Sequence, residues 1–181
     1  MERTVLAALD LTATIERSKL GPMTVHRYST FERYVTGYEP DGVDWCDGGA
    51  ADEASQLLAD FEDADWLKLC ADLDHKDRLW RGCVATTLNP YLGKHAQDLI
   101  IHLLDDPDKE VSFDALRIVA FYCGVNYRKE GPFIDDSILH REFFAKIKSH
   151  GDIMSKIKKI KEGASASFSD VFTLLEYRIS E

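Results

Sequence analysis

From Glu39 to Asp77 the chain carries thirteen carboxylates against Lys68 and Lys76, a net charge of −11 in 39 residues, with Trp45 and Trp66 inside the same stretch. Carboxylates at this density can hold a cation, run acid/base chemistry or dock a basic partner. Calcium would suit Asp41, Asp44 and Asp47, but an EF-hand loop needs acids or amides at alternate positions, a fixed glycine and a distal glutamate, and that spacing is absent. Acid/base work would suit a pair drawn from Asp63, Asp65, Asp72, Asp74 and Asp77, yet they lack a companion cluster of His, Arg or glycine-rich loop. Docking remains. A charge run is by default a solvated helix face, but here tryptophans interleave with the acids. Aromatic anchors ringed by complementary charge are what protein interfaces use for affinity and fast encounter. The expected partner-binding set is therefore Asp44, Trp45, Asp47, Asp63, Asp65, Trp66, Asp74 and Asp77. Trp45, in a Gly- and Asp-rich loop with no helical stripe to join, is the expected anchor. Trp66 lies on a stripe with Leu69, Cys70 and Leu73 and has a competing role in the core.

Other chemistry finds little support. G-x-S-x-G, the P-loop, G-x-G-x-x-G and H-E-x-x-H are all missing. His75, His95 and His102 read as surface or interfacial residues. Cys123 sits at a helix end that would not activate it, and Cys46, Cys70, Cys83 and Cys123 form no C-x-x-C pair, so free thiols are expected rather than a disulfide or zinc site. No catalytic residue, metal or cofactor is expected, and the protein is read as non-enzymatic. The net charge of −10 and pI near 5.0 disfavour nucleic acid as a partner, because phosphates require clustered Lys and Arg. Six lysines against Asp152 between Lys146 and Lys161 form a basic run, read as a solvated face. No apolar run reaches the roughly 18 residues of a membrane span, and acids interrupt the N-terminal apolar stretch, so neither a membrane segment nor a signal peptide is expected and the protein is placed in the cytoplasm. With 181 residues, 45% apolar and 10% aromatic, the chain can bury a sizeable core as a single domain.

The elements that would position the acids are helices. Leu99, Ile100, Leu103 and Leu104 make one stripe at helical spacing, Asp105, Asp106 and Pro107 interrupt it, and Val111, Ala115, Ile118, Val119 and Tyr122 make a second. Asp106 is the expected cap, Pro107 the expected first helical residue, and Gly124 the left-handed stop. Upstream, Trp66, Leu69, Cys70 and Leu73, an Asp74 break, and Leu79, Cys83, Thr86 and Thr87 repeat the layout. An offset of 32 residues superposes Leu79 on Val111, Cys83 on Ala115 and Asp74 on Asp106, a spacing proper to helical repeats. From Trp66 to Gly124 the chain resembles the HEAT-repeat family, whose units join a Leu-rich helix, an Asp-containing turn and a second helix with a Val and an Ala four apart. Where many such units carry an Arg after that Val, this chain has Trp80 and Ser112, so a regular Asp/Arg ladder is not expected. The resemblance implies an all-α fold, a short irregular HEAT-like α-solenoid of antiparallel helical hairpins.

Residues 1–50 are expected to hold an N-terminal helix with Leu6, Leu9, Ala13 and Leu20 inward, a break at Gly21-Pro22, a strand or irregular helix over Met23 to Tyr38, and a loop from Pro40 to Ala50. Residues 51–162 hold the hairpins: a helix over Asp52 to Phe61, the two units above, a long turn from Asn126 to Asp136, and a third unit with Phe143 and Ile147, then Ile153 and Ile157. Residues 163–181 form a capping helix, opened by a capping box at Ser167 to Asp170. A small acidic cytosolic solenoid without catalytic residues looks like the bacterial immunity proteins that neutralise a basic toxin domain, often a nuclease. This analogy rests on fold, size and charge, and it implies a basic protein partner. The alternatives are an adaptor subunit of a larger complex or an enzyme similar to the solenoid lyases. The sequence leaves the oligomeric state open.

Overall fold

The structure, a computed structural model, describes residues 24–181; the expected helix bearing Leu6, Leu9, Ala13 and Leu20, and the break at Gly21-Pro22, lie outside them. Ten α-helices and one two-stranded ribbon occur among the described residues. Two helical hairpins occupy the middle. The first joins α4 (Asp63–Leu73) to α5 (Arg78–Thr87), and the second joins α6 (Lys94–Leu103) to α7 (Lys109–Tyr122). Helix α4 packs on α6 and α5 packs on α7. Residues 32 apart therefore touch: Asp63 Oδ1 lies 3.2 Å from His95 Nε2, and Arg78 pairs with Glu110. The stripes face inward as their spacing predicts. Leu69, Leu73, Leu99, Ile100, Leu103, Leu104, Val111, Ala115 and Val119 are buried, although Cys70 is exposed.

Upstream, of the stretch Met23 to Tyr38 expected as a strand or irregular helix, the part from Thr24 to Val35 is helix, and Met23 lies outside the described residues. Helix α1 (Thr24–Val35) buries Tyr28, Phe31 and Val35, three positions on one helical face. After the one-turn α2 (Val43–Cys46), α3 (Ala50–Ala59) returns against α1. Helix α1 also packs on α4, and α3 on α5. The helix expected over Asp52 to Phe61 thus forms as α3, and it pairs with α1, from the stretch expected to be less regular, on the first hairpin.

Downstream, the expected turn from Asn126 to Asp136 is a β-hairpin of β1 (Val125–Arg128) and β2 (Gly131–Ile134), in antiparallel register Val125↔Ile134 and Tyr127↔Pro132. Pro132 is tolerated because both strands of a two-stranded ribbon are edges. The third unit forms as α8 (Arg141–Ser149) and α9 (Ile153–Lys161), and α10 (Ala166–Ser180) closes the chain by packing on α7, α8, α9 and the ribbon. One continuous hydrophobic core runs from Tyr28 to Ile179.

Two caps fall elsewhere than expected. Asp108 caps α7, accepting the Glu110 and Val111 amides at 2.9 and 3.4 Å. Pro107 precedes that cap instead of opening the helix, because the Asp106 carboxylate is taken by Arg81 Nε and Nη2 at 2.7 and 3.0 Å and by the Asp108 amide at 2.8 Å. This bidentate pair is one Asp/Arg rung between hairpins, one residue later than Trp80, where the HEAT pattern would have it. Helix α10 begins at Ala166 with Ser165 as its N-cap and no side-chain capping bond, so Ser167 to Asp170 lie within its first turns and form no capping box.

Candidate partner-binding surface

Fourteen residues, the one-turn α2 among them, connect α1 to α3. Their geometry comes from turn residues: the Gly42 amide bonds Glu39 O at 3.0 Å, and the Asp47 and Gly48 amides close α2 onto Val43 O at 2.8 and 3.0 Å. Gly48 passes so close to α2 that a Cβ there would meet Asp44 O at 2.5 Å.

Trp45 pins this loop to the body. Its ring is 1% exposed, lies 5.3 Å from that of Tyr38, and donates Nε1–H to Thr86 Oγ1 on α5 at 2.8 Å. Thr86 passes its own proton to the Cys83 carbonyl at 3.0 Å, so the buried indole leaves no polar group unmet. Pro40 packs directly on α5, where a Cβ on Gly82 would stand 2.8 Å from its ring. The expectation that Trp45 is an exposed anchor is therefore corrected. A Gly- and Asp-rich stretch offers no local stripe, but a groove on α5 supplies the burial. Trp66 is likewise core, 4% exposed, edge-on to Phe61 at 5.3 Å and stacked with His95 at 6.3 Å.

With Trp45 inward, its neighbours point out. Glu39, Asp41, Asp44, Asp47 and Asp52 are exposed, and Val43 among them is 74% exposed. Among the described residues no basic side chain pairs with these five acids. The result is an acidic surface formed by the loop and the first turn of α3, with one exposed apolar side chain, Val43, on a loop that Trp45 holds to α5.

The acids of the first hairpin have internal partners instead. Asp65 is 1% exposed and accepts the Glu62 amide at 3.1 Å and the Tyr28 amide at 3.2 Å; its charge is matched to the positive end of α4, and it is corrected from docking residue to cap. Asp77 caps α5 through the Trp80 amide at 2.9 Å. Asp63 meets His95, and Asp74 meets His102 at 3.0 Å. Burial pushes the Asp72 carboxyl up, but hydrogen bonds from Lys68 and Tyr28 outweigh it and hold the group below the usual carboxylate range. Of the expected set, Asp44 and Asp47 lie on the loop, while Asp63, Asp74 and Asp77 are exposed but engaged.

The basic run is also partly internal. Lys156, 9% exposed, reaches Asp105 at 2.5 Å, Lys146 reaches Asp98 at 2.5 Å, and Lys161 reaches Glu176 at 2.8 Å. Only Lys148, Lys158 and Lys159 of the six lysines are exposed.

A second surface, absent from the expected set, is aromatic. Tyr91, Phe121 and Tyr127 are 69%, 40% and 50% exposed. Phe121 and Tyr127 border a cavity of about 310 Å³ that also touches Thr86, Asp114, Arg117 and Asn126. Burial raises the Asp114 carboxyl, against the pull of Arg117 at 3.2 Å, and the charges of Glu110 and Asp41 raise it further. The sequence held a signal: with Tyr122 on the inward stripe, its neighbour Phe121 had to turn outward.

Among the described residues no group of three or more His, Cys, Asp or Glu is arranged to hold a metal ion, and no helix is long and apolar enough to cross a membrane. No protein-family model, curated protein or solved structure matches this chain.

Proposed function

We propose that the protein is a stoichiometric binding module that takes a basic protein partner on its acidic loop, and that it serves as an immunity protein neutralising a toxin domain, such as a nuclease. The observation that carries this reading is the set Glu39, Asp41, Asp44, Asp47 and Asp52, exposed with Val43 on and beside a loop anchored by a buried tryptophan, with no basic partner among the described residues. A protein that needed its acids only for folding would pair or cap with them, as the first hairpin does. Unpaired carboxylates at a fixed geometry cost stability through mutual repulsion and return it only when a cation arrives. Rigidity matters because an ordered loop loses little entropy on binding. The scaffold fits a HEAT-like solenoid, in which like helices of successive hairpins stack and residues 32 apart meet, a layout that serves as a binding surface.

A second reading, an adaptor in a larger complex, is favoured by one separate observation, the exposed aromatic surface of Tyr91, Phe121 and Tyr127. Tyrosine and phenylalanine are enriched where proteins meet, and two faces of different chemistry suit a chain that joins two partners.

The test is direct. The immunity reading expects a neighbouring gene for a secreted protein ending in a basic toxic domain. That domain, purified, should bind the chain one to one by calorimetry, with affinity falling as salt rises, and co-expression should restore growth. A toxic domain that neither binds nor is neutralised, or binding insensitive to salt, refutes the reading.

A further inference from the structure

We infer that the cleft between α1 and the acidic loop, lined by Tyr34, Tyr38, Asp44, Gly48, Ala50 and Glu53, receives an arginine side chain of the basic partner; the inference rests on the docking reading above and names the chemistry its surface selects. The cleft holds about 260 Å³, room for one long side chain and not for a helix or a strand. Its two rings lie 5.6 Å apart and tilted by 35°. Both are fixed before any ligand comes: Tyr34 donates its hydroxyl to Glu53 Oε2 at 2.7 Å, and Tyr38 leans on the buried Trp45 ring at 5.3 Å. Tyr34 and Tyr38 are half-buried, so each offers part of its face.

Two carboxylates join the rings, and no basic residue lines the cleft. Glu53 keeps one oxygen beyond the tyrosine bond, and Asp44 has no partner among the described residues. Aromatic faces beside carboxylates attract cations through the ring quadrupole and through charge-assisted hydrogen bonds together. A guanidinium suits this better than an ammonium, because its plane stacks on a ring while its edge donates to a carboxylate, and it is the more weakly hydrated ion. By contrast, the larger cavity of about 740 Å³ beside α7 carries Lys109 and Lys159 together with Glu110 and Glu162, and its third carboxylate, Asp106, is already held by Arg81. Those charges offset one another and select no ligand chemistry.

The experiment is a titration of the isotope-labelled full chain with acetyl-Gly-Arg-Gly-amide at low salt, followed by amide shifts. The citrulline peptide, which keeps the shape and drops the charge, and the lysine peptide serve as comparisons. Saturable shifts at Asp44, Gly48 and Ala50 are expected with arginine, none with citrulline, and binding about fivefold weaker with lysine. Asp44→Asn and Glu53→Gln, each at an exposed position and checked for an unchanged melt, should each weaken the arginine peptide several-fold. Shifts that do not saturate, equal shifts with citrulline, lysine as good as arginine, or indifference to both substitutions overturn the inference. The two readings fail separately. If the peptide leaves the cleft silent while reversal of the loop acids still weakens the toxin domain, the arginine cleft falls and docking stands. If the peptide binds the cleft but loop reversal leaves the toxin domain unaffected, docking falls and the cleft stands.

Discussion

Between Glu39 and Asp52 the carboxylates make no ion pair and no side-chain capping bond among the described residues, whereas from Glu62 to Asp77 nearly every one closes a helix end or an ion pair. The two halves look alike as sequence. They differ because the helix starts of the second half, at Asp63 and Arg78, expose amides that acidic side chains accept. Asp65 and Asp77 meet that need, and Glu62, Asp63, Asp72 and Asp74 find Arg27, His95, Lys68 and His102. The loop half also contains two helix starts, those of α2 and α3, but glycines, Gly42 and Gly49, stand at both N-caps and neither makes a side-chain capping bond. Charge density read along a chain therefore overstates surface potential wherever acids cap helix ends.

The comparison breaks most easily through the residues that hold the two halves in place. Ala115, 1% exposed on α7 where the hairpins meet, cannot take a charge: Ala115→Asp should unfold the protein, since a lone buried carboxylate costs several kcal/mol against a total stability of about 5–15 kcal/mol. Trp45→Ala should cost about 3–5 kcal/mol by thermal or urea melts, because it empties a core site and leaves the Thr86 hydroxyl without its donor. If Trp45→Ala melts like the parent, the loop is not anchored as described, and its acids are no more ordered than a flexible tail.

Within the hairpin, acids should behave as structural groups. Asp65→Ala should lose about 2–3 kcal/mol by leaving two amides unmet in a buried site, and Asp77→Ala about 1 kcal/mol as a lost cap. Acid should act in the same direction. Asp72 has a folded pKa below its unfolded one, so its contribution is complete above the ordinary carboxylate range and disappears as pH falls through the folded value. A melting temperature that drops in mild acid, with a shallower drop in Asp72→Asn, checks this. An identical acid profile in the variant would remove Asp72 from the network.

What could be read from sequence follows the same division. The two hairpins were visible because their apolar stripes keep helical spacing on both sides of an acidic break, and Leu99, Ile100, Val111 and Ala115 are buried accordingly. The α1–α3 pair was not, because its two helices are separated by a long loop and the buried face of α1 mixes Tyr28, Phe31 and Val35 with β-prone neighbours. Trp45 was misplaced for a related reason. Its burial is made by Thr86, 41 residues away, and no local period reports a contact of that span. Asp44 and Asp47, expected to bind the partner, are exposed, but Glu39 and Asp41 on the same loop and Asp52 at the start of α3 were left out, while Asp65 was included because it lies in a dense acidic run.

The smallest effect on stability should accompany the largest effect on encounter. Reversing Asp41, Asp44 and Asp47 to Lys changes three exposed side chains without described partners, so each should alter stability by no more than about 0.5 kcal/mol. The same triple moves the charge of the loop by six, and should slow association with the basic domain at least about tenfold at low salt while flattening its salt dependence. The matching control cannot include Lys156, whose reversal would strand Asp105 beside a buried glutamate. It is Lys148, Lys158 and Lys159 to Glu, expected to leave the rate unchanged or slightly raised. Stopped-flow association of both triples, paired with their melts, separates the halves cleanly. A loop triple that melts early would make its acids structural like those of the hairpin, and a lysine triple that alone slows binding would move the interface to the C-terminal third.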